Sequence, residues 1–171
     1  MTERAAVHAS APAALNSWTA GVTLVTVADG RDDVGATVSA FCPVSSDPPL
    51  VAVSLMAGSY LAEVFGRPEA PVTRFAVVLL AAGQRVLSGR FAAAGRPGAR
   101  LMLDDVPHRR GPDSGALIVE GGLAALECSV SHVLSVGDHL AVIAQVAGVP
   151  YVAESGEPLV RFRRHYLPSR L

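Results

Sequence analysis

The chain contains no lysine and has few cysteines, few aromatic residues and little charge. All 14 basic residues are arginines spread along the sequence, and the formal net charge is −1 at pH 7. Nucleic acid and anionic membranes attract clustered positive charge, so neither is expected as a partner. Cys42 and Cys128 lie far apart and outside any C-x-x-C pair, which argues against a disulfide framework. Both are expected to be buried thiols.

Several sequence signals of common function classes are also missing. No apolar run reaches the roughly 18 residues of a membrane span. Residues 1–15 lack the basic region and long apolar run of a signal or transit peptide, so we expect a cytoplasmic protein. The histidines form no H-x-H or H-x-x-x-H set, the carboxylates fall mostly in turns, and no G-x-S-x-G or G-x-G-x-x-G motif occurs. We therefore expect neither a metal site nor a Rossmann domain.

What remains is a chain of 171 residues, half of them hydrophobic, which is enough for one buried core. Short β-branched or apolar runs separated by turn residues favour a small antiparallel barrel. We predict strands over residues 21–28, 34–41, 50–55, 74–80, 123–136, 139–148 and 158–166. We predict helices over residues 10–18 with Ser10 as N-cap, 60–65 with Ser59 as N-cap, and 84–94. Residues 95–115 are predicted to be an exposed excursion, a candidate lid or dimer arm.

Residues 21–55 are the stretch around which the rest is expected to be organised. They predict three strands joined by two loops, and the second loop carries Thr37, Ser39, Ser45 and Ser46 before Asp47 and two prolines. Small residues let a ligand approach the backbone, and hydroxyls with free N–H groups bind a phosphate or the polar edge of a heterocycle. A Ser/Thr-rich loop is more often a plain surface loop, so composition alone does not decide between the two interpretations.

The order of the residues is more specific. The pattern G-x-T-x-S-x-F followed by S-x-D-P-P-L, at residues 35–41 and 45–50, resembles the signature of the short-chain flavin reductase family. Residues 84–91 resemble its Q-x-x-x-S-x-R-F segment, residues 126–128 and 137–139 its L-E-C and G-D-H motifs, and residues 158–166 its closing P-L…Y strand. The resemblance covers residues 21–166.

The resemblance implies a mainly β fold, a small antiparallel Greek-key split barrel with two or three short helices. It divides the chain into an N-terminal helical segment (1–20), the flavin reductase-like domain (21–166) and a C-terminal tail (167–171). The implied activity is NAD(P)H-dependent reduction of FMN or FAD, with reduced flavin supplied to a partner monooxygenase. Hydride transfer between two stacked rings needs no acid/base machinery from the protein, which agrees with its absence here.

The resemblance also implies site residues. Those implied to contact the flavin are Gly35, Ala36, Thr37, Ser39, Ala40, Ser54, Leu55, Met56, Ser59, Arg90 and Phe91, with Thr37 and Ser39 as hydroxyl donors and with Ser59 and Arg90 at the phosphate or ribityl chain. Those implied to face the nicotinamide are His139, also the catalytic candidate, with Phe162, Arg163 and Tyr166. Without the resemblance, His139 would be a turn histidine bonded to a neighbouring strand and Arg90 a solvated helix arginine.

The chain departs from the family pattern at several positions. Val78 replaces an amide side chain, Arg161 stands where an aromatic residue is usual, and no D-K-F element follows the predicted helix 84–94. These departures keep two alternatives open: a flavin-binding barrel that acts on another small molecule in a biosynthetic pathway, and a barrel that only binds a partner. A mean hydropathy of +0.38 predicts a homodimer that covers apolar strand surface.

Overall fold

A computed structural model describes residues 3–30 and 32–168. Three of the sequence predictions extend beyond these residues: Arg31 in the turn 29–33, residues 1–2 of the N-terminal segment, and residues 169–171 of the tail lie outside the described residues. No helix within the described residues is long and apolar enough to cross a membrane.

The described residues form twelve strands and four helices. The strands are β1 (Ala20–Gly21), β2 (Thr23–Asp29), β3 (Asp32–Val38), β4 (Phe41–Ser46), β5 (Pro49–Met56), β6 (Arg74–Leu79), β7 (His108–Arg110), β8 (Leu117–Val119), β9 (Ala124–Val136), β10 (His139–Val152), β11 (Val160–Phe162) and β12 (His165–Tyr166). The helices are α1 (Glu3–Leu15), α2 (Tyr60–Gly66), α3 (Arg85–Ala92), which follows a 3-10 turn, and α4 (Ala99–Met102). This composition confirms the mainly β prediction.

Seven strands form one antiparallel sheet in the order β3-β2-β6-β9-β10-β5-β4. Strands β3 and β4 stand at opposite ends of this order, yet only residues 39 and 40 separate them in the chain. Two linking residues span about 11 Å at most, so the sheet must roll up until its first and last strands meet. The sheet is therefore a barrel that closes at residues 39–40.

The central strands are buried on both faces. On β6, Phe75 and Val77 point into the barrel interior with α2, whereas Ala76 and Val78 belong to a second cluster outside it. That outer cluster is covered by α3, α4 and the β7–β8 hairpin. Burial on both faces explains why β2 and β6 are continuous apolar runs, without the alternation of a half-exposed strand.

Several strand and helix predictions are confirmed, among them the β9–β10 hairpin, β5, β6, α3, and α2 with Ser59 as N-cap, whose hydroxyl accepts the Ala62 N–H. The predicted second loop of residues 21–55 is wrong in part, because residues 41–46 form β4 and pair with β5. The exposed Cys42 lies on this strand, which corrects its predicted burial.

Three other predictions are corrected by packing or hydrogen bonding. Helix α1 begins at Glu3, so Ser10 lies inside it and is not its N-cap. Residues 95–115 are not an exposed excursion, because Ala99 and Leu103 are fully buried under the outer cluster. The predicted last strand, 158–166, is a hairpin of β11 and β12 that turns at Arg163 and Arg164.

Gly35 of β3 is required by close packing against α3. A Cβ at this position would lie 2.6 Å from Cε1 of the buried Phe91 ring. The Arg96 guanidinium completes this contact by donating two hydrogen bonds, of 3.1 and 2.9 Å, to the Gly35 carbonyl. The ring and the guanidinium together fix α3 and the chain after it on the first strand of the sheet.

The β3 strand also carries a buried carboxylate, Asp33, which accepts hydrogen bonds from Arg110 and Arg100. The hydrogen bond from Arg110 is the main cause that holds the pKa of Asp33 below its ordinary value, with Arg100 acting in the same direction against the effect of burial. This carboxylate joins α4 and β7 to the β2–β3 hairpin.

We predict that Gly35→Ala destabilises the fold by about 1–3 kcal/mol, because the added methyl displaces the Phe91 ring. Gly89→Ala is the matched control, since nothing lies within 4 Å of a Cβ there and alanine favours the helix. Urea unfolding measures both free energies. Equal stability of the two variants would contradict the packing role of Gly35.

Asp33→Asn should lower the free energy of unfolding by about 1 kcal/mol at pH 7, because it removes charged hydrogen bonds whose strength is reduced by the partial exposure of both arginines. A folded-state pKa below the unfolded value of about 3.9 means that this stability is present above pH 4 and is lost as the pH falls through the folded pKa. Urea unfolding at pH 7 and near pH 3 should show the difference between variant and wild type shrinking with acid. A constant difference would contradict it.

Candidate functional site

The barrel closure brings together residues that are distant in sequence. The Ser54 N–H donates a 2.9 Å hydrogen bond to the Ala40 carbonyl, so β5 lies against the link between β3 and β4. Val53 and Leu55 point into the barrel, which leaves Ser54 and Met56 on its outer face. We call residues 37–40, 54–56 and 139 the closure strip. It runs along the outer face of the barrel across the seam.

One end of the closure strip is formed by Met56 and His139, which lie directly opposite each other on β5 and β10. The Met56 side chain is 65% exposed. The His139 Nδ1 lies 2.7 Å from Oδ1 of Asp138, and this contact lowers the pKa of the Asp138 carboxyl. With Nδ1 donating to that carboxylate, Nε2 of a neutral His139 is left as a hydrogen-bond acceptor.

At the other end, Thr37 lies beside Ser88 of α3 and Tyr166 of β12. The Thr37 hydroxyl donates to the Ser88 carbonyl at 3.4 Å, and the Ser88 hydroxyl lies 2.8 Å from the Tyr166 hydroxyl. Because Thr37 donates its proton to the helix, it offers lone pairs to a ligand, whereas the sequence predicted a donor. This end of the strip therefore accepts hydrogen bonds from groups such as a ring N–H or a ribityl hydroxyl.

Four predicted site residues take part in packing within the protein. Leu55 and Phe91 are buried in the core, 4% and 1% exposed, so the predicted contact of these side chains with a ligand is corrected to packing. Gly35 accommodates the Phe91 ring. Ala36 is half-buried and packs against the interior cluster.

Arg90 is held by an acidic partner. Its guanidinium makes a two-pronged ion pair with Asp105, Nη2 to Oδ2 at 2.8 Å, and this pair raises the pKa of Arg90 and lowers that of Asp105. A ligand phosphate would reach Arg90 only in competition with Asp105. A phosphate contact of Arg90 stays a prediction, and the same is true of Ser59, whose hydroxyl caps α2.

The predicted nicotinamide residues fall in two places. Phe162 and Arg163 lie on the β11–β12 hairpin, where the Arg163 guanidinium sits 5.1 Å from the Phe162 ring centroid. Tyr166 connects this hairpin to Thr37 through Ser88, whereas His139 lies at the opposite end of the closure strip. The structure thus brings Tyr166 to the strip and leaves Phe162 and Arg163 on the hairpin beside it.

Two clefts of the described surface lie away from the closure strip. One, of about 400 Å³, is lined by the end of α2, the loop after it and the β9–β10 hairpin. The other, of about 510 Å³, lies between the β2–β3 turn and Arg74. Arg67 lines the first cleft and donates hydrogen bonds of 2.7 and 3.0 Å to Asp29, which lines the second. None of the predicted site residues lines either cleft.

The closure strip fits a flavin by its chemistry. It offers hydroxyls at Thr37, Ser39 and Ser54 along one side and the exposed thioether of Met56 at its end, which suits a flat ring with one polar edge and an apolar face. Small residues at positions 39 and 40 keep the backbone accessible.

Sequence reasoning did not assign a role to Ser88, although it lies within the segment that resembles Q-x-x-x-S-x-R-F. Its role depends on Tyr166, 78 residues away, and no local pattern encodes such a contact. The pairing of Arg90 with Asp105 was missed for the same reason. Asp104 and Asp105 are the first acidic residues after α3, and the sequence does not say which of them Arg90 binds.

Comparison with known proteins gives a consistent family. Residues 15–169 match the model of a family described as "Flavin reductase like domain". The chain is 35% identical over 146 residues to an FMN reductase (NADH), SmoA, of Agrobacterium fabrum, which covers 85% of this chain and 77% of that protein. It is 35% identical over 153 residues to the reductase component of 4-hydroxyphenylacetate 3-monooxygenase of Thermus thermophilus, covering 90% and 91%.

Solved structures show the same fold. An NADH:FAD oxidoreductase, SgcE6, of Streptomyces globisporus in complex with NAD and FAD fragments superposes with a TM-score of 0.83 at 25% identity, covering 95% of this chain and 92% of that one. BorF, the flavin reductase component of a bacterial two-component tryptophan halogenase, gives 0.83 at 27% identity, covering 95% and 99%. The split-barrel prediction is confirmed.

We predict that the Ser88–Tyr166 contact holds the β11–β12 hairpin beside Thr37. In a double-mutant cycle, Ser88→Ala and Tyr166→Phe should each cost about 1 kcal/mol in urea unfolding, because each leaves one hydroxyl without its partner. The double variant should cost clearly less than the sum. Strict additivity would show that the two hydroxyls do not interact.

Proposed function

Since this chain belongs to the flavin reductase-like family, we propose that it is an NAD(P)H-dependent flavin reductase that binds FMN or FAD along the closure strip. The observation that carries this proposal is that Thr37 and Ser39 directly precede the Ala40 carbonyl to which the Ser54 N–H donates, beside the Met56–His139 pair. The relatives act on FMN or FAD with NADH, and one is an NADPH-flavin oxidoreductase.

The chain's own residues bind and orient the reactants. A flavin held here would supply the hydride acceptor, and the residues of this chain would hold it against the nicotinamide and exclude water. Thr37 and Ser88 fix one end of the strip by hydrogen bonds to each other and to Tyr166. At the other end, His139 keeps its Nδ1 on Asp138 and presents Nε2 beside Met56.

The departure at Val78 does not touch this site. Val78 is fully buried in the outer cluster beneath α3, so the missing amide is a change in the core. This removes one reason for an altered activity and leaves the reductase as the function supported best. By analogy with its relatives, the enzyme would supply reduced flavin to a separate monooxygenase. Its cytoplasmic location also stays a prediction.

A homodimer is part of the proposal. On one side, β9 pairs with β6 as far as Ser129, and the Val130 N–H donates to the Thr73 carbonyl. Beyond Val130, this edge of β9 faces no strand within the described residues. This open edge carries Leu134 and Val136, which are 52% and 57% exposed. An apolar strand edge pairs readily with another chain, and a second copy would cover it.

Purified protein should oxidise NADH or NADPH when FMN or FAD is added and bleach the flavin in the absence of oxygen. Thr37→Val, which removes only the hydroxyl, should raise the KM for flavin about fivefold, as expected for one lost hydrogen bond near 1 kcal/mol. Thr73→Val, in an exposed loop away from the strip, is the control. Absence of turnover with both coenzymes and both flavins would refute the proposed function.

Light scattering should give twice the chain mass of 17.6 kDa. Leu134→Glu combined with Val136→Glu should shift the protein toward the monomer, because two carboxylates would have to be desolvated at the contact. A wild-type protein that stays monomeric at high concentration would contradict the dimer. A double variant that remains fully dimeric would place the interface elsewhere.

A further inference from the structure

The arginines of this chain divide into two groups by what they bind. Seven described side chains have an acceptor within the protein. Four of them pair with aspartates, and three donate to backbone carbonyls: Arg67, Arg90, Arg100 and Arg110 are in the first set, and Arg74, Arg96 and Arg109 in the second. A carboxylate neutralises each guanidinium of the first set, and a carbonyl directs each of the second set toward the protein.

The remaining four described arginine side chains lie at one corner of the molecule. Arg161, Arg163 and Arg164 belong to the β11–β12 hairpin, and Arg85 lies over the ring of Tyr166, 5.5 Å from its centroid. In the described part of the chain none of the four has a hydrogen bond to an acceptor or an ion pair. We call these four residues the basic corner.

The local sequence leaves this charge uncompensated. Residues 158–168 contain no aspartate or glutamate, and neither does α3, the helix to which the hairpin is joined through Ser88. Arg161 lies directly opposite Tyr166 in the β11–β12 register, next to the ring that Arg85 covers. A group of arginines without a carboxylate partner makes the local potential positive, which favours a bound anion.

The backbone conformation of the hairpin also indicates a binding role. Its two turn residues, Arg163 and Arg164, have φ values of 46° and 69°, in the left-handed region of a type I′ turn. Asn-Gly is the sequence that this turn favours, and two arginines there are unfavourable for folding. Strain of this kind is concentrated at binding sites, where the side chains it presents have a use.

We propose that the basic corner binds the phosphate groups of the nicotinamide coenzyme. This inference rests on the proposed function. The corner adjoins the closure strip through Tyr166, Ser88 and Thr37, so a coenzyme whose ring contacts a flavin on the strip would extend its phosphates toward the corner. Arginine suits this role because its planar fork donates two hydrogen bonds to one phosphate. Aromatic rings at Phe162 and Tyr166 support two of the guanidiniums.

The test replaces the turn by the sequence that its backbone prefers. Arg163→Asn with Arg164→Gly should raise the melting temperature by about 2–4 °C, because the strain is removed. The same variant should raise the KM for NADH and NADPH about tenfold, with the larger effect on NADPH, which carries one more phosphate. Its kcat at saturating coenzyme should change less than twofold. A role confined to structure would move stability without moving KM.

Arg161→Gln should raise the coenzyme KM in the same way, and Arg109→Gln, an exposed arginine away from the corner, is the matched control. The KM for riboflavin and for FMN should be unchanged in all variants. The wild-type coenzyme KM should rise with ionic strength, and this dependence should be weaker in the corner variants.

Two results would overturn the proposal: an unchanged coenzyme KM in the corner variants, or a KM that rises for FMN and not for riboflavin, which would assign the corner to the flavin phosphate. Calorimetric titration of the wild type and the variants with NADP⁺ measures coenzyme affinity without turnover. Equal NADP⁺ affinities of the wild type and the corner variants would refute this inference alone. The proposed function fails separately, if no flavin is reduced in the turnover assay.

Discussion

The closure of the seven-stranded sheet at residues 39–40 is the constraint on which the rest of the structure depends. A two-residue link between the first and last strands is too short to span an open sheet, so the sheet has to roll up. Pairing of β4 with β5 holds Ala40 against Ser54, and the short link from Ala40 back to β3 brings Thr37 to the same part of the barrel. Ser54 and Met56 face outward there, on the surface that we assign to flavin. The site is thus a consequence of topology, built from residues that are each ordinary by themselves.

Much of this fold could be predicted from the sequence. Short apolar runs located β5 and β6, helical spacing of apolar residues located α2 and α3, and the Gly137–Asp138 turn located the long β9–β10 hairpin. Predictions failed where tertiary contacts override local signals. Residues 41–46 look like a loop because they contain proline and serine, yet pairing with β5 makes them a strand. Residues 95–115 have the composition of a surface loop, but Leu103 is buried because β2 and β6 need a cover on their outer face.

The candidate site, like the fold, could be predicted from the sequence only in part. Motif order assigned Thr37, Ser39, Ser54, Met56 and His139 to one ligand site, and that assignment stays a prediction. It did not predict that Phe91 and Leu55 belong to the core, because a motif does not say which face of a strand or helix a side chain occupies. Nor did it predict which arginines have internal acceptors. Among the described side chains the fold pairs seven arginines with aspartates or carbonyls and leaves four at one corner, and the sequence does not encode these partners.

Hydrogen–deuterium exchange with and without FMN tests the central claim most directly, because it reports where flavin binds independently of turnover. The account predicts slower exchange at residues 37–41 and 54–56 when FMN is present, with no change in the segment 66–73, most of which lines the two clefts. Protection of residues 66–73 with none at the closure strip would contradict it.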